Sequence, residues 1–304
     1  MGLRVRVPAH DVPAVHTTPQ TAHAGALLAP TPPPLLHHDR VTAEGARPER
    51  WLVVLHGIYG SGRNWNTVAK RVVRARPEWA ALLVDLRQHG ASRGFAPPHT
   101  LAAAAEDVAR LTEGTGLSVR GILGHSFGGK VALLHAREPG SRLATLWLVD
   151  STPEARPPSG SAWEMLEALR GAPGPFADRD EGVAALVAFG VARPVAQWMA
   201  LNLERGDAAG AGWHWRLDPD DMEALLTDFF RTDLWPVVES PPPGLDAHVV
   251  KAEESSVLDE PVCARIEAAG ARTGRVHLHR VAGGHWVNAD NPDTLVGLLE
   301  TELP

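Results

Sequence analysis

From residue 35 onward the chain alternates short, wholly apolar runs with longer stretches whose apolar residues recur every three or four positions. The runs are "WLVVLHG" (51–57), "WAALLVD" (79–85), "VRGILG" (119–124) and "LATLWLVD" (143–150), followed after a long gap by "AHVVKA" (247–252) and "RVHLHRV" (275–281). Apolar runs of this length closed by Gly or Asp predict buried strands, with a shorter strand near 35–40. Helical periodicity predicts helices over about 65–76, 100–113, 128–138, 259–270 and 292–302. Strands apolar on both faces belong in a parallel sheet covered by helices on both sides. In such a sheet ligands sit beyond the carboxyl ends of the strands, where His56, Asp85, Ser126 and Asp150 fall.

The rhythm breaks after Asp150. Residues 154–235 offer no clear buried strand but four amphipathic stretches, "SAWEMLEALR", "EGVAALVAFG", "PVAQWMALNLER" and "DPDDMEALLTDFFRTDLW", before "PPPG" (241–244) returns the chain to its first pattern. The expected organisation is an α/β core from 35–153 and 241–304, interrupted by a helical cap over 154–240. Residues 1–34, rich in Pro, Thr, His and Ala and closed by "TPPP", read as a flexible leader.

Composition narrows the classes. A net charge of −7 over 304 residues, without a basic run, excludes a nucleic-acid-binding surface. One cysteine, Cys263, forbids an intrachain disulfide and any cysteine-based metal site. With no signal-like segment and no apolar window of about 18 residues, a cytoplasmic location is expected, organelle targeting through the leader remaining open. Neither metal nor cofactor is called for.

The chemistry gathers around Gly124-His125-Ser126-Phe127-Gly128, between a predicted strand and a predicted helix. A Gly-x-Ser-x-Gly in that context is a nucleophile elbow, a strained turn whose neighbours pass too close for side chains at 124 and 128. Serine needs a base. Among 15 histidines, His285 alone follows the last strand and precedes the last helix, in "VAGGHWVNADNPDTL". A third group should orient it. Two places can supply one: Asp150, a lone carboxylate ending an apolar strand, or the loop after "HVVKA" with Glu253, Glu254 or Asp259. The amides of Ile58, in the glycine-rich "HGIYGSGRNW", and of Phe127 are the expected oxyanion donors. The same loop as a phosphate cradle would need Gly-Lys-Ser/Thr and has Gly62-Arg63-Asn64 instead.

"HGIYGSGRNW", "DLRQHGASRG", "GHSFGGKVAL", "LWLVDSTP" and "GGHWVNADNPDTL" together resemble the ordered motifs of α/β-hydrolases over about 35–304, and most resemble those of the YbfF-like esterases. The resemblance implies an α/β-hydrolase fold with an inserted helical cap and a serine esterase without cofactor. It implies Asp150 as the acid and places Ser255 where other members carry theirs, in reach of His285 or Asp150. Asp85 and Arg87 match a bracing loop rather than a catalytic one.

Serine at the elbow excludes the aspartate chemistry of dehalogenases and epoxide hydrolases, and Cys263 lies elsewhere. The expected activity is cleavage of small-molecule carboxylic or thioesters through an acyl-serine. Acyl transfer, carbon–carbon hydrolysis, or a ligand-binding role with little turnover stand as alternatives. Tyr59, Trp286, Trp163, Trp198 and Phe230 are the candidates for lining a lipophilic pocket.

Overall fold

The computed structural model describes residues 34–207 and 211–304, so the leader expected over 1–34 lies almost wholly outside the described residues. The chain enters through β1 (His38–Val41) and β2 (Arg50–Leu55), passes a 3-10 turn into α1 (Asn66–Ala75), and continues through β3 (Trp79–Val84), α2 (Leu101–Thr115), β4 (Val119–His125), α3 (Phe127–Ala136) and β5 (Thr145–Val149). After the long insertion come β8 (Asp246–Ala252), α9 (Glu260–Thr273), β9 (Val276–Val281), α10 (Val287–Asp290) and α11 (Pro292–Glu302).

Seven of the strands form one sheet in the order β1-β3-β2-β4-β5-β8-β9. Only β1, against β3, is antiparallel. Alternation along each strand divides its side chains between two apolar layers. In β2, Trp51, Val53 and Leu55 join the layer beneath α2, α3 and α9, while Leu52 and Val54 face α1 and α11. This is the two-sided burial that the unbroken apolar runs predict. The chain goes from β2 outward to β3 and then crosses to β4 on the other side of β2, so the loops after β2 and β4 diverge and leave a crevice between them.

The insertion holds α4 (Ser161–Gly171), α5 (Arg179–Ala188), α6 (Arg193–Met199), a 3-10 turn over Ala200–Asn202, the strands β6 (Leu203–Arg205) and β7 (Trp213–Trp215), then α7 (Pro219–Arg231) and α8 (Trp235–Glu239). Two of the predicted helices are shorter than their patterns. "PVAQWMALNLER" leaves the helix at Met199 and pairs Leu203–Arg205 antiparallel with Trp213–Trp215. Three-residue strands are too short to show period-two alternation, and this ribbon is held by tertiary contact instead: Phe176 meets Trp215 edge-on at 5.6 Å. "DPDDMEALLTDFFRTDLW" breaks after Arg231 and restarts at Trp235, where Pro236 sits in the first turn of the new helix.

One buried cation ties the insertion to the core. Lys130, on α3, donates from Nζ to the carbonyls of Glu154, Phe229 and Thr232 at 2.8, 2.7 and 2.8 Å, with the Phe229 ring 4.4 Å away. Burial pushes its ammonium down to about 8.

Candidate active site

Three loops at the carboxyl ends of β2, β4 and β5 meet the loop after β9. At the end of β4, Ser126 has φ +50° and ψ −116°, a conformation rarely open to an L-residue. The glycines around it are sterically obligatory. A Cβ on Gly124 would stand 2.1 Å from the Gly128 carbonyl oxygen, and one on Gly128 would stand 2.5 Å from that of His56. The strain is held by backbone pairing: Ser126 N–H donates to Val149 O at 3.0 Å, and Ser151 Oγ donates to Ser126 O at 2.6 Å. Among the described residues Ser126 Oγ makes no hydrogen bond. It faces a cavity of about 310 Å³ that His285 also lines.

His285 Nδ1–H donates to Asp150 Oδ2 at 2.7 Å. Asp150 is fully buried, at φ +43°, and its other oxygen accepts from Ala252 N–H at 3.3 Å. A proton on Nδ1 leaves Nε2 of a neutral His285 as an acceptor, the tautomer that a general base requires. The β8 loop presents no such partner. Asp259 caps α9, accepting from Val262 N–H at 3.0 Å, and also meets Arg156 at 3.2 Å. Glu254 is exposed and its backbone N–H donates to Gly283 O. Ser255 does not fulfil the contact with His285 or Asp150 implied by resemblance. Its Oγ accepts from Val257 N–H at 3.2 Å, and Lys251 Nζ holds its carbonyl at 2.5 Å, turning the loop into a braced corner.

His125 has a role that periodicity does not announce. Its Nε2–H donates to the His285 carbonyl at 2.8 Å and its ring lies 4.7 Å from that of His285. Burial, then the neighbouring His285, push its pKa down to about 3, so it stays neutral and can serve as a fixed donor. His56 braces the loops instead of the chemistry: Leu86 N–H donates to its Nε2 at 3.0 Å, and its Nδ1–H donates to Gly57 O at 2.7 Å. Asp85 likewise accepts from the N–H groups of Gly62 and Ala91, each at 2.8 Å, and Arg87 pairs with buried Asp107 at 2.7 Å.

Ile58 lines the same cavity as Ser126, Phe127 follows Ser126 directly, and the N–H groups of both carry no hydrogen bond among the described residues. Phe127 N–H opens α3, where no intrahelical partner exists. Tyr59, Trp198 and Trp286 line the cavity, the two tryptophan rings packed 5.8 Å apart. Trp163 and Phe230 do not line it; they pack on each other at 6.3 Å, away from Ser126. Met165, Val195, Asn64, Asn288 and Asp290 also line the cavity. Asn64, Asn288 and Asp290 fall in motifs the sequence singles out for other residues, whereas Met165 and Val195 are delivered by the docking of α4 and α6 and carry no local mark. Among the described residues no group of three or more His, Cys, Asp or Glu could hold a metal ion. No described helix is long and apolar enough to cross a membrane.

This sheet order, the positive-φ serine between strand and helix, and the His–Asp pair facing it are the architecture of a hydrolase of the α/β type. The chain belongs to the alpha/beta hydrolase family, whose family model matches residues 52–298. Its relatives are chemically varied. It is 25% identical over 267 residues to the sn-1-specific diacylglycerol lipase ABHD11 of Xenopus tropicalis, covering 81% of this chain and 76% of that protein. It is 40% identical over 88 residues to the 2-succinyl-6-hydroxy-2,4-cyclohexadiene-1-carboxylate synthase of Pectobacterium atrosepticum, covering 29% of this chain and 33% of that protein. The chain thus spans only about a third of that synthase's length. Among solved structures, a marine microorganism esterase superposes with a TM-score of 0.73 at 23% identity, covering 86% of this chain and 97% of the other.

Proposed function

We propose that the protein hydrolyses carboxylic esters of uncharged acyl groups through an acyl-Ser126 intermediate, with residues 154–240 acting as the cap over the acyl site. The observation that carries the reading is the 2.7 Å His285–Asp150 bond facing, across one cavity, a serine held at φ +50°. Ser126 Oγ attacks the ester carbonyl carbon while His285 Nε2 takes its proton, and Asp150 holds the imidazole tautomer and steadies the imidazolium. The carbonyl oxygen becomes an oxyanion met by the Ile58 and Phe127 N–H groups, each supplying about 3 kcal/mol of transition-state stabilisation. Collapse breaks the bond to the leaving oxygen, which receives the proton from His285. Water, deprotonated by the same nitrogen, then cleaves the acyl-serine and restores the hydroxyl. Within the family the motifs align this chemistry most nearly with the YbfF-like esterases.

The uncharged substrate class follows from the wall. Among the described residues that line the cavity there is no Lys or Arg, and the one carboxylate is that of Asp290. His125 is neutral, and burial also pulls His56 below its ordinary value, so neither offers a standing positive charge. A carboxylate or phosphate on the acyl group would lose its hydration with no counter-charge. At about 310 Å³ the cavity lies at the small end of ligand pockets, which suits short to medium acyl chains.

The test is treatment of purified protein with a fluorophosphonate probe beside Ser126→Ala, the adduct located by mass spectrometry, followed by p-nitrophenyl esters of graded length. The expected result is an adduct on Ser126, absent in the variant, with turnover falling for the longest chains. A folded protein that takes no label and cleaves no ester would move the ligand-binding alternative ahead.

A further inference from the structure

The insertion grips one residue of the proposed oxyanion loop from two sides. Asn202, in the 3-10 turn after α6, donates from Nδ2 to the Tyr59 carbonyl at 2.9 Å. Tyr59 Oη–H donates to the Ala162 carbonyl on α4 at 2.7 Å. From the core side, Tyr59 N–H donates to His89 Nε2 at 3.1 Å, and His89 Nδ1–H is spent on the Arg87 carbonyl at 2.8 Å. Every polar group of Tyr59 is therefore engaged, by three separate segments. The residue is 3% exposed and Asn202 is 7% exposed.

Tyr59 needs such a grip. It sits at φ +64°, the left-handed region that costs a non-glycine residue roughly 1–2 kcal/mol. A residue stays there only when its surroundings over-determine it. It directly follows Ile58, whose N–H is the proposed oxyanion donor, and relaxation of Tyr59 toward negative φ would swing the loop that carries that N–H. An oxyanion donor is effective only if held in place before charge develops.

We propose that Asn202 is a positioning residue through which the seated insertion sets the oxyanion loop, so that the Ile58 donor is aligned only while the cap is docked. The inference rests on the hydrolase reading above. It gives the insertion a part in the rate of the chemical step besides walling the cavity. A purely structural Asn202, present to satisfy a buried carbonyl, would change stability and leave the rate per folded molecule alone.

The test is Asn202→Asp, which keeps the shape and removes the donor, beside Leu201→Ala as a neighbouring exposed control. For each protein kcat and KM on a neutral p-nitrophenyl ester are measured, together with amide hydrogen exchange over residues 56–62. The expected result for Asn202→Asp is a kcat lowered about tenfold or more with KM within about twofold, and faster exchange at 57–60; Leu201→Ala matches the wild type in both. Wild-type exchange in Asn202→Asp, or faster exchange with kcat unchanged, overturns the proposal. Should Asn202→Asp fail to fold, Tyr59→Phe releases the second grip and is read by the same two criteria. Should the wild type cleave no ester, the hydrolase reading falls with it, and the exchange rates alone decide whether the insertion clamps the loop.

Discussion

The α/β core and the insertion that carries α4 to α8 between β5 and β8 contribute to the same cavity in opposite ways. Ser126, His285, Asp150 and both proposed oxyanion donors come from the core, each on a loop that leaves a strand of the one sheet. The insertion brings none of them; it brings wall residues such as Met165 and Trp198, and the Asn202 and Ala162 groups that hold Tyr59. Chemistry is placed by backbone geometry that local sequence must satisfy. The proposed selectivity and alignment rest on docking, which leaves little trace in any one segment.

The largest expected effects belong to the core. Ser126→Ala should abolish turnover, by roughly a millionfold if the triad acts as a unit. Asp150→Asn should leave the fold intact and lower kcat by about 10⁴-fold, because the wrong His285 tautomer is then favoured. Both are read from kcat on a p-nitrophenyl ester with circular dichroism as the check on folding. An Asp150→Asn enzyme near wild type, beside a dead Glu254→Gln or Asp259→Ala, would move the acid to the β8 loop despite the observed pairing.

Stability should divide the regions next. At the elbow, a Cβ on Gly128 would stand 2.5 Å from the His56 carbonyl oxygen and 2.8 Å from that of Leu55, with no flexible side chain to yield. Gly128→Ala should therefore cost about 3 kcal/mol or more. Gly190, in the insertion, has open space where its Cβ would go and a φ of +88° as its only constraint, so Gly190→Ala should cost about 1 kcal/mol. Urea midpoints of the two variants compare them directly; equal losses would mean that the elbow yields as a surface turn does.

Smaller again is the charge discrimination of the cavity. A succinyl half-ester should show kcat/KM about a hundredfold below that of the matching butyryl ester, since no cation meets its carboxylate. Asp290→Asn should narrow the gap while keeping an acceptor for the Gly284 N–H that Asp290 now takes at 3.1 Å. Equal rates on the two esters would refute the uncharged substrate class and leave the nucleophile untouched.

These contrasts explain what the sequence shows and what it hides. The sheet, its helices and the elbow are legible because continuous apolar runs, helical periodicity and glycines at 124 and 128 are local consequences of the fold. Asp150 is legible as a lone carboxylate ending an apolar strand and through the family resemblance, and in the folded chain it, rather than Glu254 or Asp259, pairs with His285. Trp163 and Phe230 mislead because aromatic residues on an amphipathic helix look alike whether they face a ligand or each other. The β6–β7 ribbon has no local signature because its strands are three residues long, and Asn202 and the carbonyls on Lys130 have none because their partners lie far along the chain.

The gentlest test uses the histidines, which the two regions share unequally. The insertion holds one, His214, whereas the core buries His89, His125, His135 and His248. Burial lowers these four to about 3, 3, 4 and 3, with neighbouring histidines adding to the effect at all but His135. Between those values and the ordinary 6.5, the unfolded chain binds protons that the folded core refuses. Stability is therefore complete above about pH 6.5 and falls as the pH drops, by about 1.4 kcal/mol per group and per pH unit. Urea midpoints at pH 7.5, 6 and 5 should decline in that order, before most carboxylates titrate. His135 isolates one contribution, because its Nδ1 is buried without a partner among the described residues. His135→Leu should flatten the slope and raise the pH 5 midpoint above the wild type's. A midpoint unchanged from pH 7.5 to 5 would mean that these imidazoles take up protons within the folded core, and the fixed neutral donor assigned to His125 would have to be abandoned.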